Sequence, residues 1–259
     1  MIVIRRYMNN ALANFNYLLG CEESRQAILI DPFDANLMLQ TADEHHLDIK
    51  MIINTHEHFD HVQGNAAVVA ATGAQVWAHE TANVPEQTHK VRAGDLIELG
   101  SIRLKALHTP GHTSAHVCLL ALDETPRMLF SGDTLFNASA GNCKNGGSVD
   151  DLYRTFAEQI QQLDDDTLLY PGHDYMKNNL GFALSREPNN QMAAYWADQV
   201  QAMKAEEMPI MTLGQERQYN PFLRLQEPAI RQHLLEQFPD MEVGDKAVFT
   251  ALRALRDKW

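Results

Sequence analysis

The chain has 259 residues, of which 45% are apolar and 21% are charged, and its formal net charge is −13. These values are ordinary for a globular protein and predict a substantial buried core. The acidic balance argues against a nucleic-acid partner or an anionic membrane surface, because both require a basic face. A small anionic ligand would need a local cluster of cations.

The sequence shows no sign of export or membrane insertion. No apolar run reaches the roughly 18 residues that a membrane span needs. The apolar run at the start of the chain is too short for a signal peptide, and polar residues follow it. The cysteines Cys21, Cys118 and Cys143 are odd in number and widely spaced, which favours a reducing compartment without disulfides. We expect a soluble cytoplasmic protein, a monomer or weak homo-oligomer, with Cys118 buried in an apolar environment.

The first half or so of the chain reads as short apolar runs separated by turn signals, which predict strands. The runs cover residues 16–19, 27–30, 51–53, 74–77, 102–107, 117–122 and 128–130. Helix-like stretches at 36–46 and 64–72 lie between them, and this alternation indicates a layered domain of strands and helices.

From about residue 175 the pattern changes to longer helical periodicity, at 190–203, 228–238 and 246–258. We therefore predict one domain over residues 1–174 and a small helical region over residues 175–259. In the last predicted helix Arg253 and Arg256 are three residues apart, so they project from the same flank.

A dense cluster of imidazole and carboxylate groups follows the predicted strand at 51–53. If the chain stays extended there, His56 and His58 point the same way and can bind one ion. Asp60 and His61 follow where the chain should turn into a helix near Val62, and that bend would let them serve a second ion.

Three further ligand candidates, His112, Asp133 and His173, lie in loops and each directly follows a glycine, which permits a tight turn. A closed structural zinc site commonly includes cysteine, whereas imidazole and carboxylate alone are typical of catalytic sites that leave room for water. His116 is interpreted either as a supporting residue of the site or as a buried structural histidine. Ordinary structural or surface roles are expected for the remaining histidines: His45, His46, His79, His89, His108 and His233.

These motifs, Thr-His-Glu-His-Phe-Asp-His, Pro-Gly-His-Thr, Ser-Gly-Asp-Thr and Pro-Gly-His-Asp, resemble the metallo-β-lactamase superfamily between residues 55 and 174. The resemblance implies an α+β fold, the αβ/βα sandwich, with two metal ions at one edge. It also implies a ligand set: His56, His58 and His112 for the first metal, Asp60, His61 and His173 for the second, and Asp133 bridging both.

The C-terminal half is similar to glyoxalase II, the hydroxyacylglutathione hydrolases. The similarity lies in Gly-Asp-Thr-Leu-Phe, in Gly-His-Asp-Tyr-Met-Lys-Asn-Asn-Leu, in Asn-Pro-Phe-Leu-Arg and in the ending Leu-Arg-Ala-Leu-Arg-Asp-Lys-Trp. It implies that residues 1–174 are catalytic and residues 175–259 bind substrate, with Tyr175, Arg253 and Arg256 holding glutathione. Two arginines on one helical flank would supply the cations that an acidic protein needs for this anion.

One loop departs from the family pattern. Where the family usually has Cys-Gly-Lys/Arg-Phe, this chain has Ala-Gly-Asn-Cys-Lys-Asn-Gly-Gly at residues 140–147. Asn142 takes the place of the usual basic residue, and Lys144 is the candidate to replace it. The departure leaves open a variant thioester or another glutathione adduct as substrate.

The resemblance implies hydrolysis of S-(2-hydroxyacyl)glutathione to glutathione and a 2-hydroxy acid. Asp133 and Asp60 are the candidate catalytic residues, the first by bridging two metal ions and the second by relaying a proton. Zinc is the expected metal, and iron and manganese suit the same ligands.

Three alternatives stay open. The first is a persulfide dioxygenase with one iron on His56, His112 and Asp133. The second is another hydrolase of the superfamily, such as a lactonase or β-lactamase. The third is a protein that binds thiols or metal without catalysis.

Overall fold

The computed structural model describes residues 1–242 and 244–259. They form two compact units, which do not follow a single cut in the chain. The first comprises residues 1–109, 115–132 and 170–173, and the second comprises residues 110–114, 133–169 and 174–259. The structure thus groups residues 133–169 with the C-terminal helices, whereas the predicted domain boundary between residues 174 and 175 stays a prediction.

The first unit contains a six-stranded mixed sheet with the strand order β1-β2-β3-β4-β5-β6. Pairing is antiparallel from β1 to β3 and parallel from β3 to β6. Its strands are β1 Ile2–Tyr7, β2 Phe15–Gly20, β3 Gln26–Ile30, β4 Asp48–Ile53, β5 Gln75–His79 and β6 Gln87–Val91. The central strand β3 is a continuous apolar run because both its faces are covered.

A second, antiparallel sheet of the first unit has the order β10-β9-β8-β7. Its strands are β7 Leu96–Leu99, β8 Ile102–His108, β9 Val117–Ala121 and β10 Met128–Gly132. Along β8 buried and exposed residues alternate, as expected for a strand with one face on the core and one towards solvent.

The first unit also contains the helices α1 Ala35–Glu44, α2 Phe59–Val62 and α3 Asn65–Thr72. The Asp34 side chain caps α1 by accepting a hydrogen bond from the Leu37 amide at 3.0 Å. Gly73 ends α3 in a left-handed conformation that costs little only for glycine. Both caps agree with the helical stretches predicted from sequence.

The second unit is mainly helical. Its strands are β11 Leu135–Phe136 and β12 Ser139–Ala140, which form a hairpin, and β14 Met211–Thr212, which pairs with the start of β13 Leu168–Pro171. Its helices are α4 Val149–Glu158, α5 Met176–Arg186, α6 Gln191–Val200, α7 Leu213–Tyr219, α8 Pro228–Gln237 and α9 Asp245–Arg256. Edge-to-face contact between Phe156 of α4 and Phe249 of α9 explains why residues 133–169 join this unit.

None of the helices in the described part of the chain combines the length and apolar character that a membrane crossing requires.

Candidate metal centre

In the first unit, the turn after β4 brings the predicted ligands together. His58 has an extended backbone and is the N-cap of α2, so Asp60 and His61 lie in the first helical turn. This corrects the expectation that the helix begins near Val62. His56 Nε2 and His58 Nδ1 are 3.1 Å apart, as the expected shared orientation of these two side chains requires.

A second group in the same unit consists of Asp60, His61 and His173, all buried. The distance between His61 Nε2 and His173 Nε2 is 3.2 Å, and each of these atoms is 3.5 Å from Asp60 Oδ2. Ligand atoms at 2.0–2.1 Å from a tetrahedral ion lie about 3.3 Å from one another. The three donors are therefore spaced as ligands of a single cation.

The hydrogen bonds of these histidines set their tautomers. His173 Nδ1 donates to the Leu12 carbonyl at 2.6 Å, and His61 Nδ1 donates to Asp31 Oδ2 at 2.9 Å. With the proton on Nδ1, both Nε2 atoms present lone pairs to each other, and a cation between them removes this repulsion. The donor set thus fits a divalent metal ion.

Asp31 is a functional residue that the sequence reasoning missed. Its buried carboxylate accepts the Thr55 amide and hydroxyl, each at 2.7 Å, besides the His61 imidazole. The Thr55 hydroxyl in turn lies 3.0 Å from His56 Nδ1, so one carboxylate orients two predicted ligands. The available signal was an aspartate before Pro32 at the end of a buried strand, but that pattern indicated only a turn.

Asn14 is a second missed residue. Its side-chain amide donates to Asp60 Oδ2 at 2.9 Å, and residues 14 and 173 form an isolated β-bridge. Both contacts hold Asp60 and His173 in place. An asparagine 46 residues ahead of its partner carries no recognisable spacing signal.

His116 is fully buried in the first unit and stacks on His56, with ring centroids 5.1 Å apart. Its Nδ1 lies 3.0 Å from the Thr109 hydroxyl. A Cβ atom at Gly132 would lie 2.7 Å from His116 Nε2, so glycine is needed for this packing. Of the two interpretations left open, the contact with His56 favours a supporting role.

The remaining histidines make structural contacts, as expected. His79 stacks on His108 at 4.3 Å and His89 stacks on Trp77 at 4.4 Å. His233 Nδ1 donates to a backbone carbonyl at 2.9 Å, while His45 and His46 lie on the surface. Cys118 is fully buried, as predicted, but its surroundings are partly polar, because its thiol accepts from the Thr109 hydroxyl at 3.3 Å and donates to the Ser131 carbonyl at 3.4 Å.

The second unit holds the other two predicted ligands. His112 Nε2 lies 3.5 Å from Asp133 Oδ2, and both residues are buried. His112 Nδ1 donates to the Asn142 carbonyl at 2.7 Å, which again leaves Nε2 with its lone pair. A Cβ atom at Gly141 would lie 1.8 Å from the Asp133 carbonyl oxygen, so this loop approaches Asp133 only because residue 141 is glycine.

The predicted substrate-binding residues Lys144, Tyr175, Arg253 and Arg256 all line one polar cavity of about 240 Å³ in the second unit. The Lys144 ammonium donates to the Asp257 backbone carbonyl at 3.1 Å. Tyr175 packs against Phe136 with ring centroids 5.3 Å apart. The loop of residues 140–147, which differs from the family pattern, therefore does place a cation in the same cavity as the predicted arginine pair.

The two arginines differ in their surroundings. Arg253 is buried and donates to the carbonyls of Ala140 and Gly141, at 2.7 and 3.0 Å, and to Asp257. Arg256 is half-buried and donates to Asn179 Oδ1 at 2.7 Å. Burial lowers the pKa of both guanidinium groups, and Arg253 lowers that of Arg256 further. Both nevertheless stay charged at neutral pH, because a guanidinium group is not deprotonated in proteins.

Cys143 lies in the same loop and is half-buried. Burial raises the pKa of its thiol to about 11, so it is protonated and a poor nucleophile at neutral pH.

Comparison with known proteins agrees with this geometry. Residues 11–173 match the model of the metallo-β-lactamase superfamily, and residues 174–259 match that of the hydroxyacylglutathione hydrolase C-terminus. The crystal structure of ETHE1 from Myxococcus xanthus is similar with a TM-score of 0.67 and 25% identity, over 99% of this chain and 98% of that one. The fold and the histidine and aspartate clusters thus define a metal-dependent hydrolase of the metallo-β-lactamase superfamily, and the predicted α+β sandwich with a C-terminal helical region is confirmed.

Two curated relatives narrow the assignment. The chain is 48% identical to the hydroxyacylglutathione hydrolase of Polaromonas sp. strain JS666 and 44% identical to that of Nitrosococcus oceani, in each case over the full length of both chains. The chain belongs to the hydroxyacylglutathione hydrolase family, glyoxalase II, as its motifs predicted.

Proposed function

We propose that this chain is a glyoxalase II-type enzyme that hydrolyses S-(2-hydroxyacyl)glutathione to glutathione and a 2-hydroxy acid. The observation that carries the proposal is identity of up to 48% with hydroxyacylglutathione hydrolases over the whole chain, including the C-terminal region. ETHE1, at 25% identity, is a more distant relative. The match of residues 174–259 to the hydroxyacylglutathione hydrolase C-terminus favours the hydrolase over the persulfide dioxygenase.

We propose two divalent metal ions, with zinc as the resident metal, on the ligand set that the family motifs imply. The first ion is assigned to His56, His58 and His112, the second to Asp60, His61 and His173, and Asp133 to both. The hydrogen bonds on Nδ1 of His61, His112 and His173, which leave Nε2 available, support this assignment. Bound there, such ions would lower the pKa of a bound water towards neutrality and would polarise the thioester carbonyl.

The protein side chains then orient the reaction. Asp60 is held by the Asn14 amide and faces two imidazoles, so its carboxylate is placed to accept and pass on the proton of an attacking water. The leaving group is a thiolate, which departs without protonation, so hydrolysis needs no strong general acid.

We propose that the cavity of the second unit binds the glutathione moiety. Lys144 and Arg256 supply positive charge at its wall, and Tyr175 supplies an aromatic ring with a hydroxyl. Arg253 acts differently: its hydrogen bonds to Ala140, Gly141 and Asp257 hold the cavity wall in shape, while Asp257 offsets most of its positive charge. Lys144 replaces the basic residue that the family usually has at the position of Asn142.

A cytoplasmic location and a monomeric or weakly associated state complete the proposal. The three free cysteines suit a reducing compartment.

The test is an assay of the purified protein with S-D-lactoylglutathione, after its metal content is measured. We expect release of lactate and free glutathione with two equivalents of bound metal. Lys144→Ala should raise KM about tenfold with little change in kcat, because one charge contact is lost in binding. Lys258→Ala is the matched control, since that lysine is exposed and is not among the residues lining the cavity. No thioester hydrolysis, with oxygen uptake on glutathione persulfide instead, would overturn the proposal.

A further inference from the structure

A carboxylate with no exposed surface lies behind the β11–β12 hairpin of the second unit. It belongs to Glu216 of α7. Its Oε1 accepts the Tyr219 hydroxyl at 2.6 Å and the Asn137 amide at 2.9 Å. Its Oε2 accepts the Ala138 backbone amide at 2.8 Å and the Asn220 amide at 3.1 Å.

All these partners are neutral, and among the described residues no cation pairs with this carboxylate. Burial raises the pKa of Glu216, although its four hydrogen bonds act in the opposite direction. The four hydrogen bonds are what compensates for the burial of this carboxylate, and each of them fixes the position of a buried donor. The role of Glu216 is therefore to hold the groups that donate to it.

The geometry of the hairpin shows what the carboxylate holds. The turn residue Ala138 has a φ of +58°, in the left-handed region that a residue with a side chain rarely adopts. The bond from its amide to Glu216 stabilises that turn. Asn220, itself held by Glu216, donates to the carbonyls of Phe136 and Ser139 at 3.3 and 3.2 Å. Both strands of the hairpin are thus fastened through one carboxylate.

The same hairpin forms one wall of the cavity. Phe136 and Ala140 line it, and the Ala140 carbonyl accepts a hydrogen bond from Arg253 at 2.7 Å. The Asn137 carbonyl accepts from Asn179 at 2.8 Å, and Asn179 Oδ1 accepts from Arg256. Displacement of the hairpin would therefore move the groups that orient both arginines.

We infer that Glu216 is a positioning residue for substrate recognition, which acts by fastening the β11–β12 hairpin in the shape that the cavity requires. Because the cavity is taken to bind the glutathione moiety, the inference rests on the proposed function. Glu216 itself is not among the residues that line the cavity, so it would act on the substrate only through the position of the hairpin.

The test compares two substitutions of this residue. Glu216→Leu removes all four acceptors, and we expect KM for S-D-lactoylglutathione to rise about tenfold, with kcat within about threefold. Glu216→Gln keeps one oxygen for the Ala138 amide, while its NH₂ group faces Tyr219 and Asn137, which can both turn to accept. We expect its KM to stay within about twofold of the wild-type value.

Ile230→Ala is the matched control, because Ile230 is fully buried in α8 and lies outside the hairpin's hydrogen bonds. It should lower thermal stability without raising KM. If Glu216→Leu does not fold, Asn137→Ala carries the test, and its KM must rise by at least about threefold. A KM in the Glu216→Leu or Asn137→Ala protein no higher than in Ile230→Ala would overturn the inference.

Hydrogen exchange separates this inference from the proposed function. In Glu216→Leu the amides of residues 135–141 should exchange faster, while those of the first unit stay unchanged. If the wild-type protein releases no product from the thioester, the proposed function fails. Faster exchange in the hairpin would still support the fastening role of Glu216, and unchanged exchange would still overturn it.

Discussion

Replacing Asp31 with asparagine tests whether the hydrogen bonds behind the imidazoles control metal binding. Asparagine tolerates the positive φ of residue 31, which is +51°, and its carbonyl can still accept the Thr55 amide. Its NH₂ group must then face His61 Nδ1, where the wild-type protein has a carboxylate oxygen at 2.9 Å. The imidazole can satisfy this donor only by moving its own proton to Nε2, which blocks the ligand atom.

The expected loss follows from this change of tautomer. Changes behind a metal-binding histidine typically weaken metal affinity 10- to 100-fold, which corresponds to about 1.4 to 2.7 kcal/mol. The metal-free protein should lose only about 1 kcal/mol of unfolding free energy, since the backbone bond to Thr55 remains. Zinc affinity is measured by competition with a chromophoric chelator, and stability by urea unfolding of the metal-free protein.

Asp34→Asn is the matched control, because an asparagine at the N-cap of α1 can accept the same hydrogen bond from Leu37. It should change neither zinc affinity nor stability appreciably. Wild-type zinc affinity and stoichiometry in Asp31→Asn would refute the reasoning. So would an equal loss in the control.

Three further predictions follow from single contacts. Gly141→Ala should cost about 1 to 3 kcal/mol in urea unfolding and should lower kcat, because its Cβ would lie 1.8 Å from the Asp133 carbonyl oxygen; wild-type values for both would contradict this. The raised pKa of Glu216 means that its stabilisation is complete below the unfolded pKa of about 4.3 and is lost as pH rises through the folded pKa. Urea unfolding should therefore show the free energy of unfolding of Glu216→Gln rising relative to that of the wild-type protein as pH increases above about 4.3, and a constant difference would count against this. Burial, and to a lesser extent the neighbouring His108, lowers the pKa of His79, so the stability that neutral His79 contributes is lost as pH falls below about 6.5. In His79→Gln the free energy of unfolding should therefore depend less on pH in this range. An unchanged slope of unfolding free energy against pH would contradict this prediction.

Most of the long buried strands were predictable, although β13 was missed, whereas the edges of the sheets were not. Continuous apolar runs such as residues 27–30 lie inside strands of the structure, because a strand covered on both faces needs apolar residues throughout. The strands β1 and β6 were missed, since their residues are mostly half-buried or exposed and β6 is the polar segment Gln-Thr-His-Lys-Val. At a sheet edge pairing is decided by neighbours in space, which local composition does not encode.

In the candidate metal centre, the ligand residues were predictable from sequence, whereas the residues that hold them in place were not. The ligand candidates were visible because a dense cluster of histidine and aspartate has little packing rationale, and the structure brings His56 to His58 and His112 to Asp133. Asp31 was invisible as a site residue because it lies 30 residues ahead of His61 in the chain. Short motifs reveal the atoms that face a metal, whereas the hydrogen bonds that fix their tautomers come from the tertiary fold.

The charge of the chain bears on how it can select an anion. A net charge of −13 repels glutathione conjugates at long range, but the Debye length is about 8 Å at physiological ionic strength, so most of this field is screened before the anion reaches the surface. Recognition must then depend on contacts shorter than that distance. Under the proposed function the cavity would supply them through Lys144 and Arg256, because the positive charge of Arg253 is largely matched by Asp257 at 2.9 Å. Under the proposed function, exposed Lys144 and half-buried Arg256 should therefore carry most of the discrimination for the anion, and the inferred role of the hairpin is to let both reach the same ligand.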